Sequence, residues 1–204
     1  APGFVPSCQA NRSRAKHSAT NHDSPLAGTS SSSTRRPSST LSSTSPGNQL
    51  VIVLSFIGLE NTQTPTITAG AYSSGDAVGG LLTFADAALG TGREGVIQTL
   101  VLVDLGQQEA AFDLVLFDRT FTATLDNAPF DPSDADLANT IGMLHVLPEH
   151  YTRFVDNSMA LIRPGGLYYT TGANANIYGQ LVVRGIPTYT STGDLTVKLT
   201  VKRN

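Results

Sequence analysis

The chain has 204 residues and a formal net charge of −3, with 40% hydrophobic but only 14% charged residues, no Trp and a single cysteine, Cys8. One cysteine excludes an internal disulfide framework. The polar share falls to Ser, Thr, Asn and Gln, and low charge with abundant Thr and Gly suits an all-β protein, where Thr fits exposed strand faces.

Charge is spread unevenly. Residues 1–48 hold Arg12, Arg14, Lys16, Arg35 and Arg36 against one acid, Asp23, so the rest of the chain carries the acidic excess. Such an arm is a solvated tail or a segment that lies on an acidic protein surface or on nucleic acid, and nucleic acid is the less favoured partner. The same tract is Ser/Thr/Pro low complexity with few large apolar side chains. It cannot offset the entropy of ordering a backbone, so residues 1–60 are expected to form an extended or disordered arm ahead of a domain at 61–204. The most apolar run, LVIVLSFIGL at 50–59, has about half the length a bilayer crossing needs and lies too far along the chain for a secretory signal. It reads as a strand or short buried segment, and no membrane association is expected.

From Thr64 the texture is uniform. TPTITAG at 64–70 sets Ile67 between Thr66 and Thr68 as a strand, with Pro65 at its edge or start. SSGDAVGG at 73–80 is turn chemistry. GLLTFADA at 80–87 is a strand with Leu82 and Phe84 on one face, and Gly90, Gly92 and Gly95 mark a loop. VIQTLVLVDL at 96–105 is β-branched and long, hence a central strand. After a polar link at 107–111, FDLVLF at 112–117 is apolar on both sides, as when both faces of a strand are covered. Phe121, Ala123 and Leu125 then alternate with Thr120, Thr122 and Thr124, which predicts a half-buried strand. An acidic crossing loop follows at 126–136, broken by Pro129 and Pro132.

LANTIGMLHVL at 137–147 reads as a strand ended by Pro148, with Asp134 placed to cap a helical turn at its start. EHYTRFVDNSMA at 149–160 is the most helix-like stretch, with Tyr151, Phe154 and Val155 at i, i+3 and i+4. Strands are predicted at 159–163, 167–171 and 177–185, the first two joined by a Pro164-Gly165-Gly166 turn. On the third, Tyr178, Gln180, Val182 and Arg184 share a side. The chain closes on the clearest amphipathic strand, with Leu195, Val197, Leu199 and Val201 opposite Thr196, Lys198, Thr200 and Lys202. Lys198, Lys202 and Arg203 suit an edge strand that discourages further pairing. About eight or nine strands at this spacing predict a β-sandwich or barrel, and the long crossings favour a Greek-key or jelly-roll topology.

Chemistry is thin. His145 and His150 lack the further ligands a metal site needs. Asp126, Asp131, Asp134 and Asp136 miss the calcium-loop spacing. There is no nucleophile elbow and no glycine-rich phosphate loop. Asp113 and Asp118 would serve glycoside hydrolysis only at a separation of about 5–9 Å. No catalytic, cofactor or metal residues are therefore assigned, and no enzyme is expected. Tyr168, Tyr169, Tyr178 and Tyr189 form a sugar-stacking or protein-contact surface, or else pack with the hydroxyl at the rim.

The phrases ITAGAYSSGDAVGGLLTF (67–84), LVLFDRTFTATLDNAPFDPSDADL (114–137) and YGQLVVRGIPTYTSTGDLTVKLTV (178–201) resemble a group of small tailed-bacteriophage virion proteins encoded with head genes. The resemblance covers about residues 62–204 and carries no active-site residues. It implies a jelly-roll-like capsid decoration, or cement, protein on the virion surface, assembled in the host cytoplasm. It also implies binding to major capsid protein and to further copies of itself as a dimer or trimer. Tyr168, Tyr169, Tyr178, Tyr189, Arg35 and Arg36 are the expected interface residues. The alternative is a glycan-binding jelly-roll module using Tyr168, Tyr169 and Asn174 or Asn176.

Overall fold

The computed structural model describes residues 57–204. Cys8, Arg35, Arg36, the rest of the arm and residues 50–56 of the apolar run lie outside the described residues. The strands are β1 (Ile57–Gln63), β2 (Ala77–Phe84), β3 (Glu94–Asp104), β4 (Phe112–Phe117), β5 (Thr140–Val146), β6 (Tyr151–Arg153), β7 (Ser158–Ile162), β8 (Leu167–Thr170), β9 (Ile177–Val183) and β10 (Leu195–Arg203). A one-turn helix, α1 (Asp134–Leu137), precedes β5. The described residues are all-β, built as two antiparallel sheets. One has the order β1-β10-β3-β7-β6, with β8 also on β3, and the other has the order β2-β9-β4-β5. The sequence boundary expected at residue 60 falls inside β1, whose seven residues all pair with β10.

The alternation of β10 dictates its placement. Leu195, Val197, Leu199 and Val201 are fully buried, and with Leu100 and Leu102 of β3 they meet Leu114 and Leu116 of β4 and Leu181 of β9 in one core between the sheets. β10 lies between β1 and β3, so it is no edge strand, and its lysines line an outer face instead of guarding a free edge. β3 is central as expected. β10 covers one side, while β7 and β8 lie end to end along the other, pairing with Leu100–Asp104 and with Glu94–Ile97. The Pro164-Gly165-Gly166 turn lets the chain step out between them and rejoin the same edge.

All six residues of β4 and all seven of β9 are buried. Their inner faces belong to the shared core. Their outer faces carry Val115, Phe117, Tyr178 and Val182, and the crossing between β4 and α1 folds back over them with Phe121, Ala123 and Phe130. Phe117 and Phe121 stack at 4.0 Å between ring centroids. This second cluster explains why the segment after β4 is not the strand that its alternation predicts. It joins no ladder, because the side chain of Gln180 takes the place of a neighbouring strand. The Gln180 carboxamide accepts from the Thr124 N–H at 3.0 Å and donates to the Thr124 carbonyl at 2.6 Å and to the Gly79 carbonyl at 3.0 Å.

Four other expectations are corrected. Residues 64–68 run outside both sheets, with Ile67 buried and its N–H donating to the Thr192 carbonyl at 3.1 Å. The turn expected at 73–80 is confined to its first half, where the Asp76 carboxylate accepts from the Ser73 N–H at 2.7 Å, and Ala77 already belongs to β2. The helix predicted at 149–160 is instead a 3-10 turn, Pro148–His150, followed by the β6–β7 hairpin in the register Tyr151↔Ala160 and Arg153↔Ser158. Asp156-Asn157 supplies turn chemistry in the middle of the helical pattern, and Phe154 and Val155 point into water. Finally, the cap of α1 is Ser133, whose hydroxyl accepts from the Asp136 N–H at 3.1 Å, and Asp134 is the first helical residue.

Candidate functional site

Three of the four expected interface tyrosines are interior. Tyr169 is buried, and its hydroxyl donates to the Ala87 carbonyl at 2.5 Å. Its ring passes over Gly95, where any side chain would collide with the ring and hydroxyl. This is why a glycine predicted to mark a loop stands inside β3. Tyr178 lies in the outer cluster and accepts from the Asn174 amide at 2.8 Å. Tyr189 meets Tyr72 edge-on at 6.2 Å. Burial raises the hydroxyl pKa of Tyr169 and Tyr189 above the ordinary tyrosine value. Asn174 and Asn176 are hydrogen-bonded to the Tyr178 hydroxyl and to each other, and Tyr169, weighed with them as a sugar-stacking residue, is buried away from that loop's surface. Tyr168 alone of the four faces water, at 77% exposure.

Asp113, Asp118 and Asp126 are engaged within the fold. The Asp126 carboxylate accepts from the Thr68 hydroxyl at 2.5 Å, the Tyr72 hydroxyl at 2.7 Å and the Gly79 N–H at 2.6 Å. Burial first, and then the Asp126 carboxylate, push the Tyr72 hydroxyl pKa up. Asp113 sits between His145 Nδ1 at 2.6 Å and Arg184 Nε at 2.5 Å, while Asp118 is held by Arg119 at 2.8 Å. Asp113 and Asp118, weighed in the sequence as a conditional carboxylate pair, have separate arginine partners, Arg184 and Arg119. Among the described residues no group of three or more His, Cys, Asp or Glu is placed to hold a metal ion. No helix there is long and apolar enough to cross a membrane.

Two surface features stand out, at opposite ends of β3. The first lies beyond Asp104, where large apolar side chains stand in water on three connections: Leu105, the pair Phe154 and Val155, and Ile186. Val155 is 99% exposed and Ile186 81%. These tips are braced. Gln107 donates to the carbonyls of Phe154 at 3.0 Å and Asn157 at 3.1 Å, the Thr188 N–H donates to Gln108 Oε1 at 3.0 Å, and Arg153 pairs with Glu109 at 2.7 Å. The connection after β3 is shaped by Asp104, a fully buried carboxylate that accepts from the Gly106 N–H at 3.0 Å and the Glu109 N–H at 2.8 Å. Gln107 and Glu109 adopt left-handed backbone angles there, φ 50° and 48°.

Burial raises the Asp104 pKa above its ordinary 3.8, the backbone donors oppose this, and Asp194 adds a little in the same direction as burial. The folded state therefore binds the Asp104 proton more tightly than the unfolded chain does. Its contribution to stability is full below pH 3.8 and is lost as pH rises through the raised folded value. Thermal unfolding of the wild type and of Asp104→Asn from pH 3 upward is the check. The stability of the wild type relative to the variant is expected to fall with rising pH, and a flat or rising difference contradicts the assignment.

The second feature is at the Glu94 end of β3. Tyr168, cross-strand from Val96, stands between two open hollows of about 400 and 420 Å³. Their polar lining includes Glu94, Asp118 and Asn139 on one side and Gln98, Arg163 and Lys202 on the other. The frame is fixed by main-chain bonds. The Asp118 N–H donates to the Asn139 carbonyl at 3.0 Å, and the Asp118 carbonyl accepts from Gly172 at 2.9 Å. Glu94, Asn139 and Arg163 were not singled out in the sequence, where nothing links positions so far apart.

Compared with protein-family models, curated proteins and solved structures, the chain gives no match.

Proposed function

We propose that the chain is a structural protein of a bacteriophage particle, decorating and stabilising the capsid by binding across major capsid protein subunits. The observation that carries this reading is the set of braced apolar tips, Leu105, Phe154, Val155 and Ile186. Large side chains held in water on hydrogen-bonded connections lose little freedom when a partner covers them, so their burial is returned as affinity. Their chemistry suits the desolvated centre of a protein interface.

The strand order supports a jelly-roll form of the fold. With β7 and β8 taken as one interrupted strand, β1-β10-β3-β7 faces β2-β9-β4-β5. With the short β6 set aside, the chain changes sheet at every step except β4 to β5, as in two interlocked Greek keys. The resemblance to tailed-phage virion proteins supports the choice of particle. Its three phrases meet in space, since Asp126 binds Thr68, Tyr72 and Gly79, and Gln180 binds Thr124 and Gly79. The three phrases thus fasten one another, and of the four tips only Ile186 lies within them.

The test uses phage heads purified from a strain lacking the protein. Added wild-type chain is expected to co-sediment with the heads and to raise the temperature at which they release DNA. Val155→Asp and Ile186→Asp are expected to unfold at the wild-type temperature yet to bind at least roughly tenfold more weakly, the equivalent of about 1.4 kcal/mol. Wild-type chain that leaves both sedimentation and DNA release unchanged, or aspartate variants that bind as tightly as wild type, would sink the reading.

A further inference from the structure

We propose that Tyr168 and the two hollows beside it form a saccharide-binding site. This inference does not rest on the capsid reading, since the site lies at the opposite end of β3 from the apolar tips. Three observations carry it. The ring of Tyr168 is 77% exposed on the outer face of the six-stranded sheet, although its neighbour Tyr169 is buried. The turn beside it ends in Gly166, which has no side chain to cover the ring, and a Cβ there would stand 3.9 Å from Tyr168 Cε2. The hollows on either side, about 400 and 420 Å³, are each of the size that small ligands occupy.

The chemistry of the lining selects the ligand class. A ligand lying across both hollows meets Glu94 in one, which repels an anion, and the Arg163 guanidinium in the other, which repels a cation, so a neutral polar ligand fits best. A wholly apolar ligand would strip water from Glu94, Asn139, Gln98 and Arg163 and give nothing back. A pyranose meets both demands. The C–H face of the ring stacks on Tyr168, while its hydroxyls donate to Glu94 and accept from the Asn139 amide and the Arg163 guanidinium. A chain of two or three sugar rings would lie across the Tyr168 ridge with one unit in each hollow.

The experiment applies the full chain to an array of bacterial capsular and O-chain polysaccharides, with Tyr168→Ala and Tyr168→Phe alongside. Circular dichroism confirms that each variant folds, as expected for an exposed position. Wild type is expected to bind at least one polysaccharide, Tyr168→Phe to keep that binding, and Tyr168→Ala to weaken it roughly tenfold. An array with no wild-type binding overturns the inference, as does a Tyr168→Ala variant that binds like wild type. Neither result bears on whether the chain attaches to phage heads.

Discussion

Gln180→Leu is expected to lower the unfolding free energy by about 4 kcal/mol. Leucine fills much the same space, so the loss is chiefly one of hydrogen bonds. The Thr124 N–H and the carbonyls of Thr124 and Gly79 would all lose their partner at once. Each buried polar group left alone costs about 1–3 kcal/mol; Gly79 is buried, and the two Thr124 groups, half-buried, lie at the low end. The crossing after β4 would detach from β9 and expose Phe121 and Phe130. For a domain of this size the melting temperature should fall by roughly 10 °C. Thermal unfolding followed by circular dichroism is the check. Gln180→Glu adds a sharper one, because a carboxylate would face two carbonyls that now receive N–H donors. Its penalty should shrink at acid pH, where a protonated carboxyl can donate once. A drop of less than about 1 kcal/mol for Gln180→Leu would mean that Thr124 is held by something else.

Asp126→Ala should be nearly as damaging, with an expected loss of about 3–4 kcal/mol. The carboxylate gathers the Thr68 and Tyr72 hydroxyls and the Gly79 N–H. It thereby fastens the β1–β2 connection to the loop after β4. Gly79 is constrained twice more. Its φ of +67° is a left-handed angle, and a Cβ there would stand 2.5 Å from Pro65 Cβ. Gly79→Ala should therefore destabilise to a similar degree through backbone and contact strain. Hydrogen exchange gives the local test. In Asp126→Ala the amides of Gly79 and Asn127 should lose protection before those of β3 and β10, and uniform loss across the sheets would contradict a local fastening.

The parts of the fold that follow a period of two were legible in the residues. β10 could be placed residue by residue, because Leu195, Val197, Leu199 and Val201 have nowhere to go but a core. β4 could be read as covered on both faces, but not what covers it, and the double burial of β9 was not read at all. That information lies in a contact between Phe117 and Phe121 and in one amide. Gln180 did leave a trace, as a lone carboxamide in the otherwise apolar run around Leu181 and Val182, and such a group when buried demands partners. The crossing at 121–125 alternates because its apolar residues meet a sheet face, which mimics a strand without joining one. At 151–155 the helical spacing was an accident of a hairpin whose tip residues, Phe154 and Val155, face water. The tyrosine pair at 168–169 was half legible, since neighbours on a strand point opposite ways and only one can be exposed. Which one depends on the glycine at position 95 that admits Tyr169. The hollows beside Tyr168 draw on residues 94, 98, 118, 139 and 163, which only the folding of both sheets brings together.

The most direct measurement is electron cryomicroscopy of the phage particle, with and without the gene for this chain, at a resolution that distinguishes sheets. The account predicts density for a two-sheet domain on the outer surface of the shell, bridging neighbouring capsid subunits, with the Leu105, Phe154, Val155 and Ile186 tips turned toward them, and its disappearance in the deletion. Identical shells in the two particles, or density for the domain in the tail or inside the head, would contradict it.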